Sequence, residues 1–374
     1  MSTIIKNNRP IKVIISGGGT GGHVFPAIAI ADAIKEKRPA ADILFVGAQG
    51  KIEMDRVPKA GYPIKGLWIS GFHRKLTLRN LLFPLKLIHS LFKAWQITSS
   101  FKPEVAVGVG GYASGPVLEI ATRKKIPAVI QEQNSYAGAT NRILANKVDK
   151  VCVAYEKMDR FFPQDKIIQT GNPVRKKLFD KAVDKANAYE HFGLDPNKKT
   201  IFLFGGSLGA SSLNATVAAN TAFFKKHADI QLLWQVGKLY FDQYRTSEVA
   251  QLPNVFINTF IDHMDLAYGL ADVVICRAGA LTIAELCMVG QAAILVPSPN
   301  VAEDHQTKNA MALVEQDAAI MITDKESKDS LFAAALELME DESKRQHLSD
   351  NIKAMARPDA AEQIADEVIK LAEQ

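Results

Sequence analysis

The chain of 374 residues is short of cysteine and of long apolar runs, and over one stretch it has no acid. Its three cysteines, Cys152, Cys276 and Cys287, stand in or beside apolar runs without metal-ligand spacing, which argues for buried structural thiols. No stretch approaches the ~20 apolar residues that span a bilayer. The opening "MSTIIKNNRP" lacks the apolar core of a secretion signal, so a cytoplasmic chain is expected. Acids are absent between Asp55 and Glu104, part of a wider imbalance. Up to Arg175 there are 26 Lys and Arg against 12 Asp and Glu; the remainder has 19 against 28. A net charge of +5 thus joins a basic first half to an acidic second half, which suggests two domains with different partners.

What is present is a repeated strand, glycine loop and helix. "KVIIS" leads into "GGGTGGHVFPAIAIADAI", and the unit returns as "TIFLFGGSLGASSLNATVAAN", Thr200 to Asn220. Further apolar runs lie between and after them, among them "ADILFVG", "PEVAVGVGG", "IPAVIQEQN", "ADVVICRAG" and "AAILVPSP". Near-continuous Val/Ile/Leu strands alternating with helical segments predict parallel sheets covered on both faces, hence two doubly wound α/β domains. The polar stretch from Lys176 to Lys199 reads as the linker region. The last helix, "DAAEQIADEVIKLAEQ", fits packing on either domain.

Gly17, Gly19 and Gly22 satisfy the dinucleotide pattern G-x-G-x-x-G. A nicotinamide enzyme also needs an acid at the end of the second strand to hold the ribose. That strand ends "ILFVGAQG", which argues against such an enzyme. What survives is the capacity of backbone N–H groups at a helix start to bind anions, above all phosphates. "GVGGYASGP", "EQN" (Glu132 to Asn134) and "RAGALTIAE" (Arg277 to Glu285) follow apolar strands, at the carboxyl edge where α/β ligands bind.

Taken in order, "GGTGGHVFPA", "GGYASGP", "EQN", "GNPVR", "GGSLGA", "FI" followed by an acid, "CRAGALTIAE" and "DHQTKNA" resemble the MurG family of bacterial N-acetylglucosaminyltransferases, from about Ile11 to the C-terminus. The resemblance implies the GT-B arrangement, two Rossmann-like doubly wound domains facing across a cleft. Residues 1–174 would take the lipid acceptor, with the helix 359–374 packing back on them, and 175–358 would take UDP-N-acetylglucosamine. The reaction implied is transfer of N-acetylglucosamine to the 4-hydroxyl of undecaprenyl-diphospho-N-acetylmuramoyl-pentapeptide, with inversion from the α-linked donor to a β-1,4 link. Many relatives carry His before "EQN"; this chain has Gln131.

Carried over by position, Ser207 meets the donor diphosphate and Arg175 adds charge there. Ile261, after Phe260, reads uracil through its backbone. Ala280, Leu281, Thr282, Ile283, Ala284 and Glu285 line the nucleotide, with Glu285 on the ribose hydroxyls. Gln306 touches the sugar, and Thr20, Gly21, Gly22 and Asn134 reach the donor from the opposite lip. No D-x-D motif occurs, so no metal clamp and no cofactor is expected. Another UDP-sugar enzyme on the same scaffold, an epimerase or a glycolipid synthase, is the alternative, as is a non-catalytic nucleotide-sugar-binding protein at the membrane.

Two further expectations concern the first half. In "GFHRKLTLRNLLFPLKLIHSLFKAW", Leu81, Leu85, Ile88, Phe92 and Trp95 follow helical spacing, with Lys86 and Lys93 to flank them and Arg74, Lys75 and Arg79 upstream. That pattern suits peripheral contact with an anionic membrane on its cytoplasmic face, not nucleic acid. The first glycine loop is expected to face the acceptor diphosphate. His23, in the first helical turn, is the candidate general base, because the helix dipole works against a charged imidazole there. Glu132 is the second candidate.

Overall fold

The computed structural model describes residues 10–70, 83–174, 183–301 and 304–374. Arg74, Lys75, Arg79, Leu81 and Arg175 lie outside these residues. The chain divides into two units, Met1–Arg175 with Pro358–Gln374, and Lys176–Arg357.

In the first unit β1 (Lys12–Ser16), β2 (Asp42–Ala48), β3 (Ile64–Leu67), β4 (Val105–Gly108), β5 (Ala128–Glu132), β6 (Lys150–Val153) and β7 (Ile167–Gln169) form a parallel sheet in the order β3-β2-β1-β4-β5-β6-β7. Its helices are α1 (Gly21–Lys37), α2 (Glu53–Lys59), α3 (Phe83–Phe101), α4 (Ser114–Arg123) and α5 (Ala139–Leu144). Strand β1 shows why the apolar runs are unbroken. Val13 and Ile15 join the core on the α1 side, while Ile14 joins Val117 and Leu118 of α4 on the other. A strand buried on both faces has no position left for alternation.

The second unit repeats the plan. β8 (Lys199–Phe204), β9 (Ile230–Gln235), β10 (Val255–Asn258), β11 (Val273–Cys276), β12 (Ala293–Leu295) and β13 (Ile320–Met321) run parallel in the order β10-β9-β8-β11-β12-β13. Around them lie α6 (Lys185–Phe192), α7 (Ser211–Ala219), α8 (Thr221–Lys226), α9 (Phe241–Tyr244), α10 (Met264–Leu270), α11 (Ala280–Val289), α12 (His305–Val314), α13 (Ser327–Glu340) and α14 (Glu342–Ala354). In both units the first strand lies between the second and the fourth, the strand order of a dinucleotide-binding fold. Register places Ser16 beside Gly108 and Phe204 beside Cys276, so the loops leaving each such pair emerge side by side.

Two expectations need correction or completion. The stretch from Lys176 to Lys199 is more than a linker, because α6 lies inside it. Asp184 caps this helix, its Oδ1 accepting from the Ala186 and Asn187 amides at 3.0 and 3.3 Å, and Gly193 ends it in the left-handed region. Buried Ala188 and half-buried Tyr189 and Phe192 pin it to the second core, an apolar set too short to stand out in a polar stretch. The last helix, α15 (Ala360–Ala372), belongs to the first unit. Ile364, Ala365 and Val368 enter the core beside α1, and Lys37–Asp366 and Arg38–Glu373 ion pairs flank the seam. The three cysteines are buried, and burial pushes the Cys152 and Cys287 thiols up to about 12.

Candidate functional site

At the carboxyl edge of the first sheet the chain turns through Gly17–Thr20 into α1. The loop after β4 backs directly onto it. A side chain at Gly111, whose φ is +81°, would collide with the Gly18 carbonyl, so glycine is required there. His23 covers the neighbouring Gly110, where a Cβ would lie 3.1 Å from Nε2. The other ring nitrogen, Nδ1, is 3.2 Å from Thr20 Oγ1. With Nδ1–H donating to this hydroxyl, the lone pair falls on Nε2, the nitrogen on the Gly110 side.

From below, the loop is held by a residue that the motifs do not reveal. Glu53 of α2 is 1% exposed; its Oε2 accepts from the Gly19 amide and its Oε1 from the Ala48 amide, each at 2.9 Å. This corrects the view of the whole loop as an anion cradle, since the Gly19 N–H is turned inward onto a carboxylate.

Glu132 ends β5 and is equally buried. Its Oε1 accepts from the Asn134 backbone and side-chain amides at 3.1 and 3.3 Å, and its Oε2 from Gly138 N at 2.9 Å and Asn141 Nδ2 at 2.8 Å. Burial pushes its pKa up, against these bonds. Both oxygens are committed to shaping the 132–141 loop, which is not the geometry of a base reaching for substrate. Asn134 is placed by that carboxylate. Gln131 is buried in a neutral amide network, donating to Asn172 Oδ1 at 3.1 Å, while Gln133 donates to the Val109 carbonyl at 2.7 Å. The "EQN" segment and the first glycine loop therefore meet around residues 109 and 110.

In the second unit Ser207 lies half-buried in the loop between β8 and α7. Gln235, at the end of β9, braces this loop. Its Nε2 donates to the Gly206 carbonyl at 3.1 Å and its Oε1 accepts from the Ile261 amide at 2.8 Å. The Ile261 N–H is thus already paired, and its side chain is in the core; only the carbonyl remains for reading a base. Gly279 precedes α11, and Ile283 N–H bonds back to its carbonyl at 2.9 Å. Leu281, Thr282 and Ala284 are half-buried, whereas Ala280 and Ile283 are buried, the Ile283 side chain in the core. Glu285 is 8% exposed and accepts from the Tyr268 hydroxyl at 3.1 Å. Burial, then the Glu285 charge, hold the Tyr268 hydroxyl well above the usual tyrosine range, so it stays a donor. Gln306 Oε1 accepts from Ser298 N at 2.8 Å, which fixes the side-chain amide. Arg277 reaches the Val296 and Pro297 carbonyls at 3.0 Å and pairs with Asp324 at 2.6 Å, and Ser212 of α7 donates to the same carboxylate at 2.7 Å. These bonds tie the start of α7 to the ends of β11 and β12.

Residues 13–153 match the glycosyltransferase family 28 N-terminal domain and 200–364 its C-terminal domain. The chain is 53% identical over 366 residues to the UDP-N-acetylglucosamine--N-acetylmuramyl-(pentapeptide) pyrophosphoryl-undecaprenol N-acetylglucosamine transferase of Bacteroides fragilis, covering 97% of this chain and 96% of that one. The Cytophaga hutchinsonii enzyme of the same description is also 53% identical, with 97% of each covered. The crystal structure of Acinetobacter baumannii MurG superposes with a TM-score of 0.71 at 29% identity, over 96% of this chain and all of that one. The chain is a family 28 glycosyltransferase of the MurG type. The UDP-GlcNAc 2-epimerase from Neisseria meningitidis gives a TM-score of 0.71 at 14% identity, over 96% of this chain and 100% of that one, a likeness of fold alone.

This MurG-type chain carries one more surface feature. Leu85, Ile88, Phe92 and Trp95 of α3 are 59, 65, 57 and 49% exposed. They recur every three or four residues, so they form one outward stripe. Lys124 lies 5.6 Å over the Trp95 ring and Lys86 5.6 Å over Trp68, which is also exposed. Among the described residues no helix is long and apolar enough to cross a membrane, and no group of three His, Cys, Asp or Glu is arranged to hold a metal.

Proposed function

We propose that the chain transfers N-acetylglucosamine from UDP-N-acetylglucosamine to the 4-hydroxyl of undecaprenyl-diphospho-N-acetylmuramoyl-pentapeptide, with inversion at the sugar C1. The 53% identity carried through both units is the observation that favours this reading. In it the first unit takes the acceptor and the second the donor. Tyr268 orients Glu285 toward vicinal ribose hydroxyls, Ser207 and the start of α7 meet the diphosphate, and Gln306 meets the sugar. His23 Nε2 removes the acceptor proton as that oxygen attacks C1 and the bond from C1 to the diphosphate breaks. Backbone N–H groups at the start of α7 stabilise the charge that builds on departing UDP.

The exposed stripe of α3 supports a peripheral position at the cytoplasmic face of the membrane, its apolar side chains dipping among anionic headgroups and the lysines flanking them. The test of the reaction is incubation with labelled UDP-N-acetylglucosamine and a soluble acceptor analogue. Label should enter a disaccharide only when the acceptor is present. Consumption of the donor without acceptor would assign the epimerase chemistry instead.

A further inference from the structure

The opening glycine loop holds more glycine than the turn alone needs, and the reason lies inside the protein. A Cβ at Gly47 would stand 2.5 Å from Glu53 Cγ, and one at Gly18 would fall within the Glu53 carboxyl group. Two glycines, one from each of the neighbouring strand ends, therefore open a slot that a carboxylate fills. Its oxygens take one amide from each side, Gly19 and Ala48, and so tie the loop after β1 to the end of β2. In a dinucleotide-binding loop such amides are left for the ligand's phosphates. Here the chain supplies its own anion, which sets the loop's shape before any ligand arrives. It also places a buried negative charge beneath the loop, where attraction for a phosphate would otherwise arise, and charges interact strongly away from water.

We infer that Glu53 is a positioning residue for the transfer: it presets the loop that carries Thr20 and His23, and it bars phosphate from the loop, so that the loop receives a neutral sugar hydroxyl. The inference rests on the proposed role of His23. It requires the acceptor's diphosphate to be bound elsewhere than on the Gly19 amide.

The experiment uses the full chain, UDP-N-acetylglucosamine and a soluble acceptor analogue, with Glu53→Gln as the main variant. The carboxamide keeps the shape but can accept only one of the two amides, and it removes the charge. Turnover should fall roughly tenfold to a hundredfold, as expected for displacement of a catalytic group by about an ångström, while KM for UDP-N-acetylglucosamine stays within about twofold. Inorganic pyrophosphate should compete with the acceptor at lower concentration than in the unaltered protein. Glu53→Asp keeps the charge but is too short to span both amides; it should lose turnover without gaining sensitivity to pyrophosphate, and it serves where Glu53→Gln does not fold. Unchanged kcat in a folded variant, or a fall in kcat matched by an equal rise in donor KM, would overturn the inference. His23→Ala is measured in parallel. Normal turnover there marks failure of the base assignment, whereas normal turnover in Glu53→Gln alongside a crippled His23→Ala marks failure of this inference alone.

Discussion

The two glycine loops occupy equivalent places in sheets of the same strand order, yet they are braced by opposite means. Below the first is the Glu53 carboxylate, taking the Gly19 and Ala48 amides. Beside the second is the Gln235 carboxamide, giving a bond to the Gly206 carbonyl and taking one from Ile261. A neutral brace consumes none of the second loop's own N–H groups and adds no charge, which suits the diphosphate role proposed for that loop. The carboxylate takes the Gly19 N–H of the first. Glycine spacing alone therefore does not say where a loop's N–H groups point; the group packed beneath it does.

The largest effect is expected at His23, in the first turn of the helix that follows the first loop. His23→Ala should lower turnover by roughly 10²–10⁴-fold while UDP affinity, measured by calorimetry, is unchanged. Reversing the braces comes next. Gln235→Glu puts a carboxylate against the Gly206 carbonyl and beside the second glycine loop, and should weaken UDP about a hundredfold, through both repulsion and a lost bond; an affinity within a few-fold would mean that the brace's charge is irrelevant. Glu285→Ala should weaken UDP roughly tenfold to a hundredfold, the loss of a charge-assisted bond. Tyr268→Phe, which removes only the hydroxyl that holds Glu285, should cost less, about tenfold.

The units also differ on their outer surfaces, and this sharpens the contrast between a basic and an acidic half. Replacing Ile88 and Phe92 of the α3 stripe by serine should reduce flotation with anionic vesicles while leaving transfer to a soluble acceptor nearly intact. The smallest effect is expected at Glu119, a carboxylate held by side chains instead of backbone amides. The Lys147 ammonium, bonded at 2.7 Å, and then Arg123 hold it below the usual glutamate range. Its contribution is therefore present above that range and fades as pH falls through its lowered value. Glu119→Gln should cost under about 1 kcal/mol at neutral pH in urea unfolding, and the difference should vanish in acid.

The sheets were legible because their strands are buried on both faces, which leaves a continuous apolar signature. The loops at their carboxyl edges were legible because glycine has few other reasons to cluster there. What sequence could not show is which polar side chain fills the space beneath a loop. Glu53 lies 34 residues from Gly19, in a helix whose "EMDRVPK" looks like any solvated face. Gln235 closes an apolar run without any local mark, and Tyr268 belongs to a different helix from the Glu285 it holds. Arg277 stood inside a quoted motif, but its partners come from residues 212, 296, 297 and 324. Glu132 was singled out for its acidity, and only the four N–H groups converging on it reveal it as a scaffold. Apart from those of Glu132, whose donors lie within nine residues of it, these are long-range pairings, and spacing along the chain carries no trace of them.

The return of α15 to the first unit makes the second unit an insertion within the first. On the ribosome the residues up to Arg175 emerge early, but the groove beside α1 that receives Ile364, Ala365 and Val368 stays open until the final segment is made. Ile364 and Val368 left uncovered each forgo ~1.5–3 kcal/mol, a large share of the stability of one domain. The half that begins first is thus the half that finishes last, and during the interval it offers a greasy seam to chaperones or to other nascent chains. A fragment ending at Arg175 should bind a hydrophobic dye and precipitate on warming, and adding back residues 358–374 as a peptide should rescue it.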